Sequence, residues 1–336
     1  MKFTSQKTVI FGSAWLCLII AMLLSSGCAN KKTTVERGLK KHAGELHSNR
    51  YSKINTIQAT RVVSVVEQDS MVYRHKPDQT KYYYYPPAFP KPAMTEQQAF
   101  NSGGVLGYLI VNGVEGHIDD LDEEATKPVL NAISIDIRRV IGDALKDATF
   151  SSDWLKADQF DERKERLFKE EVTSSMMSNF KSRLVMSTIY KLSGDDYEML
   201  EINSFLSLFV DNEKKPMYTA SYVYFSSPIY ADNESEVIAK WVSNNGEKIN
   251  RAFIEGMENI SQMIKMDLNS LTVGGKLERE KKLLVLKNVV FGSSFGHRFR
   301  EGRVVQRENG RLILQAKNRT LISAKEINPE IAKSSK

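Results

Sequence analysis

The amino-acid sequence predicts an α+β fold: an antiparallel β-sheet packed against long α-helices, with a small C-terminal β meander. Three observations predict it. Apolar and polar residues alternate over three consecutive stretches between Arg183 and Phe225, the two-residue period of half-buried strands. From Ile238 to Leu268 apolar residues recur at three- and four-residue intervals, the period of a helix with one buried face. Near the C-terminus two apolar runs flank Asn309-Gly310, and Asn-Gly is the strongest short hairpin signal.

The elements follow in chain order. Ile57, Ala59 and the Val62 to Val66 run are β-branched or small, are bounded by polar residues and predict a strand. Tyr82 to Tyr85 then lead into Pro86, Pro87, Pro90 and Pro92, which remove backbone donors and hold the chain extended, with tyrosine rings laid across the domain. Gly103 to Gly116 is the most apolar stretch of the body. Gly103 and Gly107 allow a close helix approach, and the stretch is too short to span a bilayer. It is not a phosphate loop, because no Gly-Lys-Ser/Thr follows.

The acids Asp119, Asp120, Asp122, Glu123 and Glu124 precede Thr126-Lys127-Pro128 and predict a helix start, since carboxylates favour the positive end of a helix and proline suits its first turn. The spacing is not that of a calcium loop. Leu130, Ile133, Ile137, Val140, Ile141 and Leu145 continue that helix to about Asp147, and a further helix is expected from Asp161 to Phe180. Strands follow at Arg183 to Lys191, Met199 to Val210 and Pro216 to Phe225, with turns at Ser193 to Asp196 and Asp211 to Lys215. In the third strand Tyr218, Ala220, Tyr222 and Tyr224 share one side. The helix anchored by Ile238, Trp241, Val242, Ile249, Phe253 and Met257 has one apolar face, interrupted by Asn244-Asn245-Gly246, and is expected to cover the sheet. Leu283 to Phe291, Val304-Val305, Leu312 to Leu314 and Thr320 to Ser323 make the meander. The expected organisation is residues 1–27 as a signal peptide, 28–55 as a tether, 56–275 as the α+β domain, 276–326 as the meander and 327–336 as a frayed tail.

Composition excludes several classes. The net charge of +6 on 336 residues is too small to argue for nucleic acid. Lys31, Lys32, Arg37, Lys40 and Lys41 form a local basic cluster, which suits either anionic headgroups or a solvated tether. The two cysteines are Cys17 and Cys28, so no disulfide or cysteine metal site exists beyond residue 28.

The N-terminus carries the strongest signal. Lys2 and Lys7 precede an uncharged apolar run from Val9 to Leu24, followed by Ser25-Ser26-Gly27-Cys28. A basic start, an apolar helix-former and small residues describe an export signal. The segment resembles the lipobox of bacterial lipoproteins, although Ser25 stands where an aliphatic residue is usual and Leu24 lies one place further back. The resemblance implies that the Cys28 sulfur receives a diacylglyceryl group before cleavage. It also implies that the Cys28 amino group is acylated, and that Ala29 in place of Asp permits transfer to the outer membrane. The rival reading is an uncleaved transmembrane helix, because the 23 residues from Thr8 to Asn30 carry no charge. The excess of basic residues after the stretch runs against an anchor whose N-terminus stays inside.

Candidate chemistry is sparse. Gly292-Ser293-Ser294-Phe295-Gly296 matches the serine-hydrolase elbow and precedes His297. That elbow requires a helix directly after the serine, whereas Arg298 to Gly302 is short and leads to a hairpin. His42, His47, His75, His117 and His297 are too dispersed for a metal pair, and Asp195 and Asp196 read as a turn.

The glycine-rich stretch, Pro128-Val129-Leu130-Asn131-Ala132-Ile133, Trp241 to Gly246 with Met263 to Leu268, and Gly310-Arg311-Leu312-Ile313-Leu314 together resemble a group of proteobacterial lipoproteins of unknown function. The likeness implies no catalytic residues. The expectation is a non-enzymatic lipoprotein on the periplasmic face of the outer membrane, anchored through Cys28, without cofactor or metal, bound to the bilayer and to other envelope proteins and not to nucleic acid. Alternatives from other classes are an accessory subunit of a secretion or transport complex and a lipid-anchored hydrolase using Ser294.

Overall fold

A computed structural model describes residues 57–66, 68–71, 122–152, 155–165, 167, 171, 180, 182–193, 197–210, 216–272, 283–285, 301–316 and 320–326. The signal and tether, the tyrosine-proline and glycine-rich segments, the turns at 194–196 and 211–215, and the Gly292 to His297 motif lie outside the described residues.

The strands are β1 (Ile57–Val65), β2 (Leu155–Arg163), β3 (Ser182–Ser193), β4 (Met199–Val210), β5 (Tyr218–Phe225), β6 (Leu283–Val285), β7 (Glu301–Glu308), β8 (Arg311–Ala316) and β9 (Leu321–Lys325). They form one sheet in the order β2-β1-β3-β4-β5-β9-β8-β7-β6. The antiparallel sheet with a separate meander that the sequence predicts is therefore not what forms. β1 runs parallel to both β2 and β3, β5 runs parallel to β9, and the remaining pairs are antiparallel. The architecture is a mixed sheet that outweighs its helices. The parallel pairs are those joined by long connections, because only tight turns force an antiparallel neighbour. β3, β4 and β5 follow one another closely and pair antiparallel, from Ser182↔Val210 and from Glu201↔Phe225.

The helices among the described residues are α1 (122–132), α2 (Ile137–Phe150) and α3 (Glu234–Thr272). The single helix expected from the acidic run to Asp147 is two. The chain breaks at 133–136, and Asp136 restarts it by accepting a hydrogen bond from the Arg139 backbone N–H at 3.1 Å. Asp122, Glu123 and Glu124 lie inside α1, and Pro128 sits well past its first turn. The helix expected from Asp161 to Phe180 is also corrected at its start, because Asp161 to Arg163 end β2. β2 is an edge strand with a polar sequence, and Arg61 of β1 pairs across to its Asp161.

Alternation in β3, β4 and β5 divides the sheet into two faces. Leu184, Met186 and Tyr190 of β3, Ile202, Leu206 and Leu208 of β4, and Tyr218, Tyr222 and Tyr224 of β5 join one core with α2 and α3. The Tyr190 ring meets Phe253 edge-on at 5.1 Å. On the opposite face Val63, Val185 and Phe209 form one buried cluster, and Val223, Phe225 and Leu314 belong to another. At the end of β1, Gln68 accepts from the Tyr190 N–H at 3.1 Å and its carbonyl accepts from the Tyr190 hydroxyl at 3.2 Å, which fastens β1 to β3.

α3 is two helical segments joined at Ser243 to Gly246. Asn244, Asn245 and Gly246 take left-handed dihedrals, with φ of 52°, 55° and 72°. Left-handed backbone costs an ordinary residue roughly 1–2 kcal/mol, and asparagine and glycine tolerate it best. The turn is clasped to the break between α1 and α2. The Asn250 amide donates to the Gly246 carbonyl at 2.9 Å, and its Oδ1 accepts from the Ser134 N–H at 3.0 Å. A Cβ on Gly246 would lie 2.2 Å from the Ala132 carbonyl oxygen.

Two glycines with nearly equal φ separate backbone strain from steric fit, because a Cβ on Gly310, at 73°, meets nothing within 4 Å. Urea denaturation is expected to show Gly310→Ala losing about 1 kcal/mol. Gly246→Ala is expected to lose about 3 kcal/mol or more, since it adds a clash with rigid backbone. Equal losses would contradict the clasp.

Candidate functional site

The chain that leaves β5 is strapped back onto β4 before α3 begins. The Ser226 N–H donates to the Leu200 carbonyl at 2.9 Å, and the Ile229 N–H donates to the Glu198 carbonyl at 2.8 Å. Asn233 then caps α3, its side chain accepting from the Glu236 N–H at 3.0 Å. Glu236 accepts in turn from the Asn233 side-chain amide at 3.2 Å and from the Asp232 N–H, one residue before the cap, at 3.3 Å, so the two side chains brace the helix start. The loop at 226–231 consequently lies alongside the first turns of α3, tied by the Lys240 ammonium to the Tyr230 carbonyl at 2.7 Å.

Two clefts open on either side of Glu255. The first, of about 520 Å³, lies between Ile229 and Tyr230 of the loop and Lys240, Lys248 and Arg251 of α3. Trp241 is among the groups lining it, buried and held by an Nε1–H bond to the Tyr197 carbonyl at 2.9 Å. The second, of about 450 Å³, lies between Glu258 and Asn259 of α3 and Gln306, Glu308 and Lys325 of the C-terminal strands. Both volumes fall within the range of small-molecule sites, about 300–1,000 Å³.

The two differ in charge by their linings, and one ion pair engages the carboxylate they share. Arg311 of β8 is 12% exposed, bonds Glu255 at 3.0 Å, and sets its guanidinium over the Tyr224 ring at 4.6 Å. This commits the carboxylate between the clefts. The first cleft is left with an excess of cations, in which Arg251 pairs with Glu247 on the exposed surface of α3 and Lys248 makes no hydrogen bond or ion pair. The second is walled by Glu258 and Glu308 as well as Lys325.

A third cluster sits near the far end of α3. The Tyr222 hydroxyl donates to Asp267 Oδ2 at 2.9 Å, and Tyr218 donates to the same oxygen. Burial pushes the Asp267 carboxyl above its ordinary range, with the two hydroxyl donors opposing the shift. Burial and the neighbouring carboxylate push both tyrosines up, so they remain donors at any physiological pH.

Cys28, Ser294 and the five histidines lie outside the described residues. Among the described residues no group of three His, Cys, Asp or Glu could hold a metal, and no helix is long and apolar enough to cross a membrane. No protein-family model matches the chain. No curated protein sequence matches it either. The clefts were not singled out in the sequence, because Lys240, Lys248 and Arg251 look like an ordinary solvated helix face. The interruption at Asn244 to Gly246 was the available signal that this face is bent.

The raised pKa of Asp267 sets a direction for stability. A carboxyl whose folded pKa exceeds its unfolded one adds stability at low pH, and that stability is lost as pH rises through the folded value. Urea titrations of wild type and Asp267→Asn between about pH 4 and pH 8 are expected to show wild type losing ground to the variant as pH rises. A constant difference, or the opposite slope, would contradict the buried carboxylate.

Proposed function

We propose that the chain is a bacterial envelope lipoprotein, held by lipid on Cys28 at the periplasmic face of the outer membrane and acting without catalysis, by binding envelope components. The observation that carries this reading is the sequence from Lys2 through the apolar run to Ser25-Ser26-Gly27-Cys28. Its physical content is the transfer of acyl chains from water to hydrocarbon, about 0.8 kcal/mol for each methylene, with more than one chain needed for durable attachment. The cleft-bearing surface beside Glu255 supports a binding role, since it offers two concave, polar-rimmed sites on a sheet-and-helix body. The resemblance to proteobacterial lipoproteins agrees with this reading and adds no chemistry to it.

Cells fed radiolabelled palmitate are expected to label the wild-type chain, and the mature polypeptide is expected to begin at acylated Cys28. Cys28→Ala is expected to remove the label and release the body from the membrane fraction. An unlabelled wild-type chain, or a mature chain retaining residues 1–27, would overturn the proposal.

A further inference from the structure

The geometry points to a binding site for a sugar phosphate in the cleft between the 226–231 loop and the first half of α3, with Lys240 and Lys248 as the phosphate ligands. This deepens the binding role proposed above and rests on it.

Charge is the first ground. Lys240, Lys248 and Arg251 line the cleft against a single carboxylate, and that carboxylate, Glu255, faces Arg311 at 3.0 Å. The Lys240 ammonium spends one donor on the Tyr230 carbonyl, which fixes its position and leaves two donors. Lys248 spends none. Two compact ammonium charges, one anchored and one free, suit a phosphate, whose oxygens accept from point donors in many directions. Arg251 is turned to Glu247 and serves as a flanking charge.

Shape and backbone are the second ground. The left-handed turn at Asn244 to Gly246 falls between the two lysines, so α3 bends where it borders the cleft. Gly246 and Asn250 lock the turn against Ala132 and Ser134, which fixes the path of α3 between the two lysines. The remaining lining is mixed, with Ser226 and Ser227 polar at the start of the loop. Pro228, Ile229, Trp241 and Ala252 supply apolar surface, and Tyr230 stands 47% exposed on the loop. A cavity of about 520 Å³ with cations on its helix wall and apolar residues and Tyr230 on its loop wall fits a charged group joined to a ring, and exceeds what inorganic phosphate fills.

The test is calorimetric titration of the full lipidated chain in detergent micelles with glucose 1-phosphate. Saturable binding is expected, with glucose and inorganic phosphate each at least about tenfold weaker. Lys240→Gln and Lys248→Gln are each expected to weaken binding about tenfold, the scale of one charge-assisted hydrogen bond. Lys146→Gln, on the exposed surface of α2, is expected to leave it unchanged. Far-UV circular dichroism and the melting temperature confirm that the variants fold. Dihexanoyl phosphatidylglycerol distinguishes a lipid headgroup as the source of the phosphate. Its binding without that of glucose 1-phosphate would overturn the assignment, as would equal binding of inorganic phosphate or affinity unaltered in both lysine variants. Palmitate incorporation is read in the same preparations. Failure to bind sugar phosphate in a chain that carries lipid overturns this site alone, and absence of lipid overturns the envelope reading alone.

Discussion

Everything on the helical face of the sheet depends on how closely α3 can approach it. At Gly256 a Cβ would lie 2.7 Å from Ile202 Cδ1 and 2.8 Å from the Tyr224 ring. The helix backbone at Gly256 therefore rests directly on the Ile202 and Tyr224 side chains of β4 and β5, with no side chain of its own between. The Tyr224 ring cannot yield, because it is fully buried and the Arg311 guanidinium sits over it. From that contact the neighbouring residues receive their positions: Phe253, Met257 and Ile260 enter the core, while Arg251, Glu255 and Asn259 emerge along the clefts.

The same contact ties the C-terminal strands to the rest of the sheet. Arg311 reaches from β8 to the Phe225 carbonyl and to Glu255, and Ser323 of β9 donates to Asn259 of α3 at 2.8 Å. Beneath these side chains β9 pairs with β5 in parallel, Tyr222 opposite Leu321 and Tyr224 opposite Ser323. Ile313 and Leu321 accordingly belong to the same core as Tyr222 and Phe253. A separate meander would have left β5 with an unpaired edge, a row of donors and acceptors that proteins avoid exposing.

Local order was legible in the sequence and long-range order was not. β1, β3, β4 and β5 lie close to where alternation placed them, the tyrosines of β5 share the expected face, and Asn309-Gly310 turns the hairpin with φ of 49° and 73°. Each of these is decided by neighbours along the chain. The parallel pairing of β1 with β3 brings together Val63 and Val185, and no local period reports a partner at that distance. β2 was hidden because Leu155-Lys156-Ala157-Asp158-Gln159 carries an edge strand's polarity, and its end was absorbed into an expected helix. The break at 133–136 was masked by apolar spacing that continues unbroken from Leu130 to Leu145 while the backbone does not. Of the candidate site, sequence showed the interruption at Asn244 to Gly246 in an expected single helix, and nothing of the bend or the cleft, since a cavity requires the loop and the helix to meet.

The most direct test of this account is the stability of Gly256→Ala, measured by urea denaturation and far-UV circular dichroism. Helix propensity alone favours alanine over glycine by about 1 kcal/mol, so a helix lying loosely on the sheet would be stabilised. Close seating against Tyr224 and Ile202 predicts the opposite sign, a loss of about 1–3 kcal/mol from overpacking. A variant more stable than wild type would contradict the account.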